Sequence, residues 1–71
     1  MKASYDRDAD ALLIHVGRGK VNHAQEVGPF VIHFTKAGKP LLIEILDASV
    51  VLSKLTKVMM QSKKPTPIHI A

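Results

Sequence analysis

The sequence predicts an α+β domain, an antiparallel meander of four to five strands with one C-terminal helix packed on one face. Three observations predict it. Short apolar segments alternate with turn residues as far as Leu46, their inward positions recur every second residue, and beyond Leu46 the apolar spacing becomes helical. A chain of 71 residues holds one domain, and 46% hydrophobic content is normal for a folded one. The domain is expected over residues 1–61. Residues 62–71 are left as a tail, either frayed or adding a short strand at Ile68-His69-Ile70.

The elements follow in order. Lys2 to Tyr5 suits a first strand, and Asp6 to Asp10 a polar turn, because short Asp side chains bond nearby backbone amides. Leu12 to Val16 is an aliphatic strand. Gly17-Arg18-Gly19-Lys20 has two glycines able to take positive φ, as a hairpin loop requires. Val21 to Val27 is more polar and suits an edge. Pro29 has no amide to donate, which fits the beginning of the next strand, Phe30 to Thr35. Leu41 to Leu46 completes the set.

Alternation selects the core face. Leu12, Ile14 and Val16 share one side of their strand, Phe30, Ile32 and Phe34 one side of theirs, and Leu41, Ile43 and Ile45 one side of the last. Pairing Thr35 with Pro40 sets Phe34 against Leu41, Ile32 against Ile43 and Phe30 against Ile45. A slip by one residue would put Glu44 against Phe30 and mix the faces. A four-residue loop, Lys36 to Lys39, is therefore expected.

After Leu46, Asp47 or Ser49 offers a helix cap. Val51, Leu52, Leu55, Val58 and Met59 form a stripe at helical spacing, while Lys54, Lys57 and Lys63 fall off or beyond it. Pro65 and Pro67 end the helix, which is expected to cover the all-apolar sheet face.

Composition excludes several function classes. There is no cysteine, which removes disulfides, thiolate zinc sites and thiol catalysis. So short a chain buries only about 60% of the surface its unfolded form exposes. Self-association as a homodimer, or a dedicated protein partner, is the expected supplement. The opening MKASYDRDAD carries no apolar core of signal-peptide length, and the runs Ala11 to Ile14 and Val50 to Leu52 fall far short of a membrane span. No membrane association is expected, and the cytoplasm is the expected compartment. The net charge of +4 invites a nucleic-acid reading through Lys54, Lys57, Lys63 and Lys64. The three aromatics Tyr5, Phe30 and Phe34 give no stacking platform, so this stands as the alternative.

Candidate chemistry is sparse. Asp6, Asp8 and Asp10 recur as at the start of a calcium loop, but Ala11 and Gly17 stand where such a loop needs Gly and Glu. Gly17 to Lys20 lacks the spacing and the following Ser or Thr of a phosphate loop. The second sheet face is more informative. Leu13, His15, Val31, His33, Leu42, Glu44 and Leu46 point there, with Glu44 opposite Val31 and diagonal to His33. His15, His33 and Glu44 could converge to bind a metal or share a proton, which would make a small metal-dependent enzyme a further alternative. No HxH or HExxH spacing supports a metal, so a His-to-Glu hydrogen bond on a half-polar face is preferred. Neither a catalytic residue nor a cofactor is expected. The aliphatic residues of that face make it the expected partner-binding surface.

Tyr5-Asp6-Arg7-Asp8-Ala9-Asp10-Ala11-Leu12-Leu13-Ile14 resembles the "YDxxADALYI" opening of the small prokaryotic family called domain of unknown function 2283, with Leu13 where the family has Tyr. Ile43-Glu44-Ile45-Leu46-Asp47-Ala48-Ser49 resembles its closing "IEILDAS", and Gly28, Val31 and Gly38 fall where it has "GVxxxxxxxG". The similarity runs over about residues 2 to 55. It implies a compact sheet-plus-helix domain without established activity or catalytic residues. It also implies an antitoxin role beside a small ribonuclease-type toxin. The resulting expectation is a non-catalytic protein-binding module.

Overall fold

The computed structural model describes residues 1–68, so the expected strand at Ile68-His69-Ile70 lies largely outside the described residues. Five strands, β1 (Lys2–Asp6), β2 (Ala11–His15), β3 (His23–Val27), β4 (Phe30–Phe34) and β5 (Pro40–Ile45), precede one helix, α1 (Ala48–Gln61). All pairings are antiparallel within one sheet of order β1-β2-β5-β4-β3. The α+β class, the strand count and the C-terminal helix are as the sequence predicts.

The connection after β2 differs from the expected hairpin. Gly17 to Lys20 does not fold β3 back on β2; the segment crosses the end of the sheet, and β5 takes the place beside β2. Turn residues state where a chain bends and leave open which strand it meets. Here the aliphatic strand β5 goes to the centre, where both of its edges are paired. The polar β3, exposed at all five positions, goes to the edge. Val16 N and Gly17 N both donate to Leu41 O, at 2.9 and 3.3 Å, anchoring the crossing segment to β5. Gly17 is required at this approach, because a Cβ there would fall 2.8 Å from Pro40 O.

The core face is the expected one. Ile14, Ile43 and Ile32 form one cross-strand row, and Leu12, Ile45 and Phe30 the next. The register departs at one end: His33 pairs with Leu42 but Phe34 pairs with Pro40, so Leu41 is an extra residue and not the partner of Phe34. Two residues opposing one is the signature of a β-bulge. The turn consequently spans Thr35 to Lys39, closed by Thr35 N donating to Lys39 O at 2.9 Å, in place of the expected Lys36 to Lys39. Leu41 remains buried.

Along α1, Ala48 and Val51 are buried against Ile45, with Leu12, Ile14, Phe30, Ile43 and Leu55 packed around them. The expected stripe is narrower than its spacing suggests. Val58 is half-buried, but Leu52 and Met59 are exposed. Residues 48, 51, 55 and 58 follow one line up a helix. The helix meets the sheet along that single seam.

Candidate functional site

The helix covers one side of the sheet and leaves the other open. Registers place on the open side a row Ser4, Leu13, Glu44, Val31, Glu26 and a row Lys2, His15, Leu42, His33, Ala24. Leu13, Val31, His33, Leu42 and Glu44 are half-buried, shielded by their strand neighbours, while His15 is exposed. Leu46, exposed as well, stands one residue past β5, its amide bonded to Pro29 O at 2.8 Å.

Of the three residues considered for a metal or proton site, two meet. His33 Nε2 donates to Glu44 Oε1 at 2.5 Å, the diagonal contact that the register allows. A carboxylate held this way keeps the ring oriented and satisfies one of its own acceptor sites. His15 lies on the far side of Leu42 and faces a shallow hollow of about 490 Å³ lined by Met1, Lys2, Val16, Gly17 and Arg18. Among the described residues, no three His, Asp or Glu side chains stand close enough to hold a metal ion. What the arrangement offers is a surface with one fixed polar pair at its middle, suited to recognition.

Glu44 is the acid that the sequence places on this face; the edge strands add two more. Asp6 pairs with Ala11 and Glu26 with Val31, and both partners share the side of Glu44. Three carboxylates thus stand there beside one lysine, Lys2, in a chain of net charge +4. The signal was residue parity in the edge strands, usable only once their partners are known. The remaining basic residues lie in turns, loops, α1 and the tail, where Lys54, Lys57, Lys63 and Lys64 are all exposed.

A second constellation lies at the start of α1. Asp47, at φ 50, is the N-terminal cap residue, but its side chain caps nothing, and Ser49 is not the cap either. The capping carboxylate comes from Asp10, in the β1–β2 turn. Ser49 N donates to Asp10 Oδ1 at 3.0 Å, Ser49 Oγ to Oδ2 at 2.7 Å, and Ala48 N to Asp10 O at 2.9 Å. Tyr5 Oη donates to Asp10 Oδ1 at 2.6 Å. The hydrogen bonds from Tyr5 and then Ser49 hold the Asp10 carboxyl below the usual carboxylate range. The same bond to Asp10, with the nearby negative charges, holds the Tyr5 phenol above its ordinary value. Nearby, Asp6 Oδ1 accepts from Asp8 N and Ala9 N at 3.0 and 3.2 Å. The Asp6, Asp8, Asp10 run therefore builds a turn and a helix cap, the use expected of short acids at such positions.

No helix among the described residues is long and apolar enough to cross a membrane. A family model described as "Protein of unknown function (DUF2283)" matches residues 2–49, more than half of the chain. No curated protein and no solved structure matches.

Proposed function

The chain belongs to the DUF2283 family of proteins of unknown function, and within that family we propose that it is a non-catalytic protein-binding module docking through the open sheet face. The surface is centred on Leu13, Val31, Leu42 and the His33–Glu44 pair, with His15 and Leu46 at its ends. One observation carries the reading: the registers put Asp6 on one edge strand, Glu44 on the central strand and Glu26 on the other edge strand of this face, with Lys2 the one lysine among its strand residues, although the chain as a whole is basic. Aliphatic ground with a surplus of carboxylates suits a basic partner, since complementary charge steers encounter and fixes orientation. A small ribonuclease-type toxin has that character, so the module is the antitoxin of such a pair, acting in the cytoplasm.

Co-expression with the product of the adjacent gene tests this. The expected result is a co-purifying complex and rescue of growth, both lost in Leu42→Asp and weakened in Glu26→Lys. A folded Leu42→Asp chain that still rescues, or no complex with the wild-type chain, overturns the reading.

A further inference from the structure

We propose that two copies of this chain join edge to edge through β1, in antiparallel register about Ser4, to form one continuous ten-stranded sheet. β1 is one of the two free edges of the sheet, and all five of its residues are exposed. Its sequence, Lys2-Ala3-Ser4-Tyr5-Asp6, is complementary to itself when reversed. With Ser4 opposite Ser4 of the second copy, each Lys2 lies opposite an Asp6. On the other face, each Tyr5 ring, 52% exposed in the single chain, lies opposite an Ala3. Opposite charges directly across a ladder stabilise antiparallel strands, and like charges there destabilise them.

The groups are free to pair. Among the described residues Lys2 has no carboxylate partner, and Asp6 uses only Oδ1, for the amides of its own turn. An edge lysine ordinarily discourages strand addition. Here it discourages every strand except one that sets a carboxylate against it. The other edge has no such property. About Gln25, β3 would set His23 against Val27 and Ala24 against Glu26, with no opposite charges facing.

A single strand interface is smaller than the roughly 1,200–2,000 Å² of stable complexes, so the association is weak and concentration-dependent. Because Lys2, Ser4 and Asp6 lie on the open side of the sheet, the two-fold axis runs along the sheet normal. Both open faces then lie on one side and both helices on the other. The dimer goes beyond the docking reading and does not depend on it, since it leaves that face uncovered and doubles it.

Sedimentation velocity of the full chain over a concentration series tests the proposal, with circular dichroism confirming that each variant folds. Wild type is expected to dimerise reversibly. Lys2→Asp turns two attractive pairs into two repulsive ones and weakens the dimer by about tenfold to thirtyfold. Asp6→Lys does the same, and the double variant Lys2→Asp/Asp6→Lys returns to within about threefold of wild type. Leu42→Asp leaves dimerisation unchanged, which separates this result from failure of the docking face. A wild-type chain monomeric at every concentration, a dimer indifferent to both single reversals, or one abolished by Leu42→Asp overturns the proposal.

Discussion

Replacing Val51 by Ala tests whether α1 is held to the sheet along the seam that the structure shows. Val51 is 4% exposed, packed with Ile45 and Ala48, whereas its neighbour Val50 is 54% exposed. The substitution removes two methylene equivalents from the core, about 1.6 kcal/mol at roughly 0.8 kcal/mol each. A residual cavity adds to this, although the helix is free to settle inward and close part of it. Alanine's better helix propensity returns about 0.5 kcal/mol. The net loss is about 1.5 kcal/mol, from a total of roughly 4–10 kcal/mol for a domain of this length. Val50→Ala gives up little burial and keeps the propensity gain, so it is neutral or stabilising by up to about 0.5 kcal/mol. Urea unfolding followed by circular dichroism, at one fixed protein concentration, reads both. The pair should differ by about 2 kcal/mol, and Val51→Ala should melt roughly 6–12 °C below wild type. Midpoints within about 0.5 kcal/mol of each other would refute the seam.

Three further outcomes are expected. Asp10, with its folded pKa lowered, contributes stability above its unfolded pKa near 4 and loses it as pH falls through the folded value. Tyr5, with its pKa raised, contributes below about pH 10 and loses this as pH rises through the folded value. Both groups are exposed and screened, so the effect is small. Urea midpoints across pH should show Tyr5→Phe removing the alkaline decline and moving the acid decline upward, and an acid limb identical to wild type would contradict the bond network. Gly17→Ala should cost about 1–3 kcal/mol, because its Cβ would press on the Pro40 carbonyl; a melting temperature equal to wild type would mean the crossing segment lies elsewhere. Asp47 and Asp10 both sit at φ 50, but only Asp10 uses its side chain. Asp47→Gly should therefore stabilise by about 0.5–1 kcal/mol, Asp10→Gly should destabilise, and equal thermal shifts would count against the cap.

How much of this the sequence discloses depends on the range of each interaction. Ile14, Ile32 and Ile43 fall in one row because a period of two is written locally, and burial permits one register for it. The Leu41 bulge adds one residue without disturbing the pairing of Ile32 with Ile43, so the pattern of the strands is blind to it. The Gly17–Lys20 crossover depends on which strand β2 meets, a competition that polar β3 loses to aliphatic β5. The cap on α1 spans 39 residues, from Asp10 to Ser49. Asp47 and Ser49 are the local candidates, and a carboxylate from the first turn displaces both. His33 and Glu44 are legible as a pair because their diagonal follows from a register that alternation supplies. His15 shares only their face, and Leu42 stands between.

The two motifs that carry the family likeness meet in this structure, which separates their structural residues from the others. In the opening motif, Tyr5 and Asp10 bind one another and the start of α1, Asp6 bonds the turn amides, and Leu12 and Ile14 pack in the core. In the closing motif, Ile43 and Ile45 pack there too, Ala48 is buried, and Ser49 receives the Asp10 cap. Each of these has a reason to be what it is that involves no partner. Glu44 stands apart: it lies on the open face, and its one side-chain bond, to His33, ties together neighbours that the β4–β5 ladder already joins. Leu13, directly opposite it, replaces the family's Tyr. If the motifs record more than a fold, Glu44 is the position that carries it. Glu44→Gln, which keeps the shape and a hydrogen bond to His33 but removes the charge, should then leave urea stability within about 0.5 kcal/mol of wild type while weakening complex formation on co-expression. Loss of stability with binding intact would make Glu44 one more element of the scaffold.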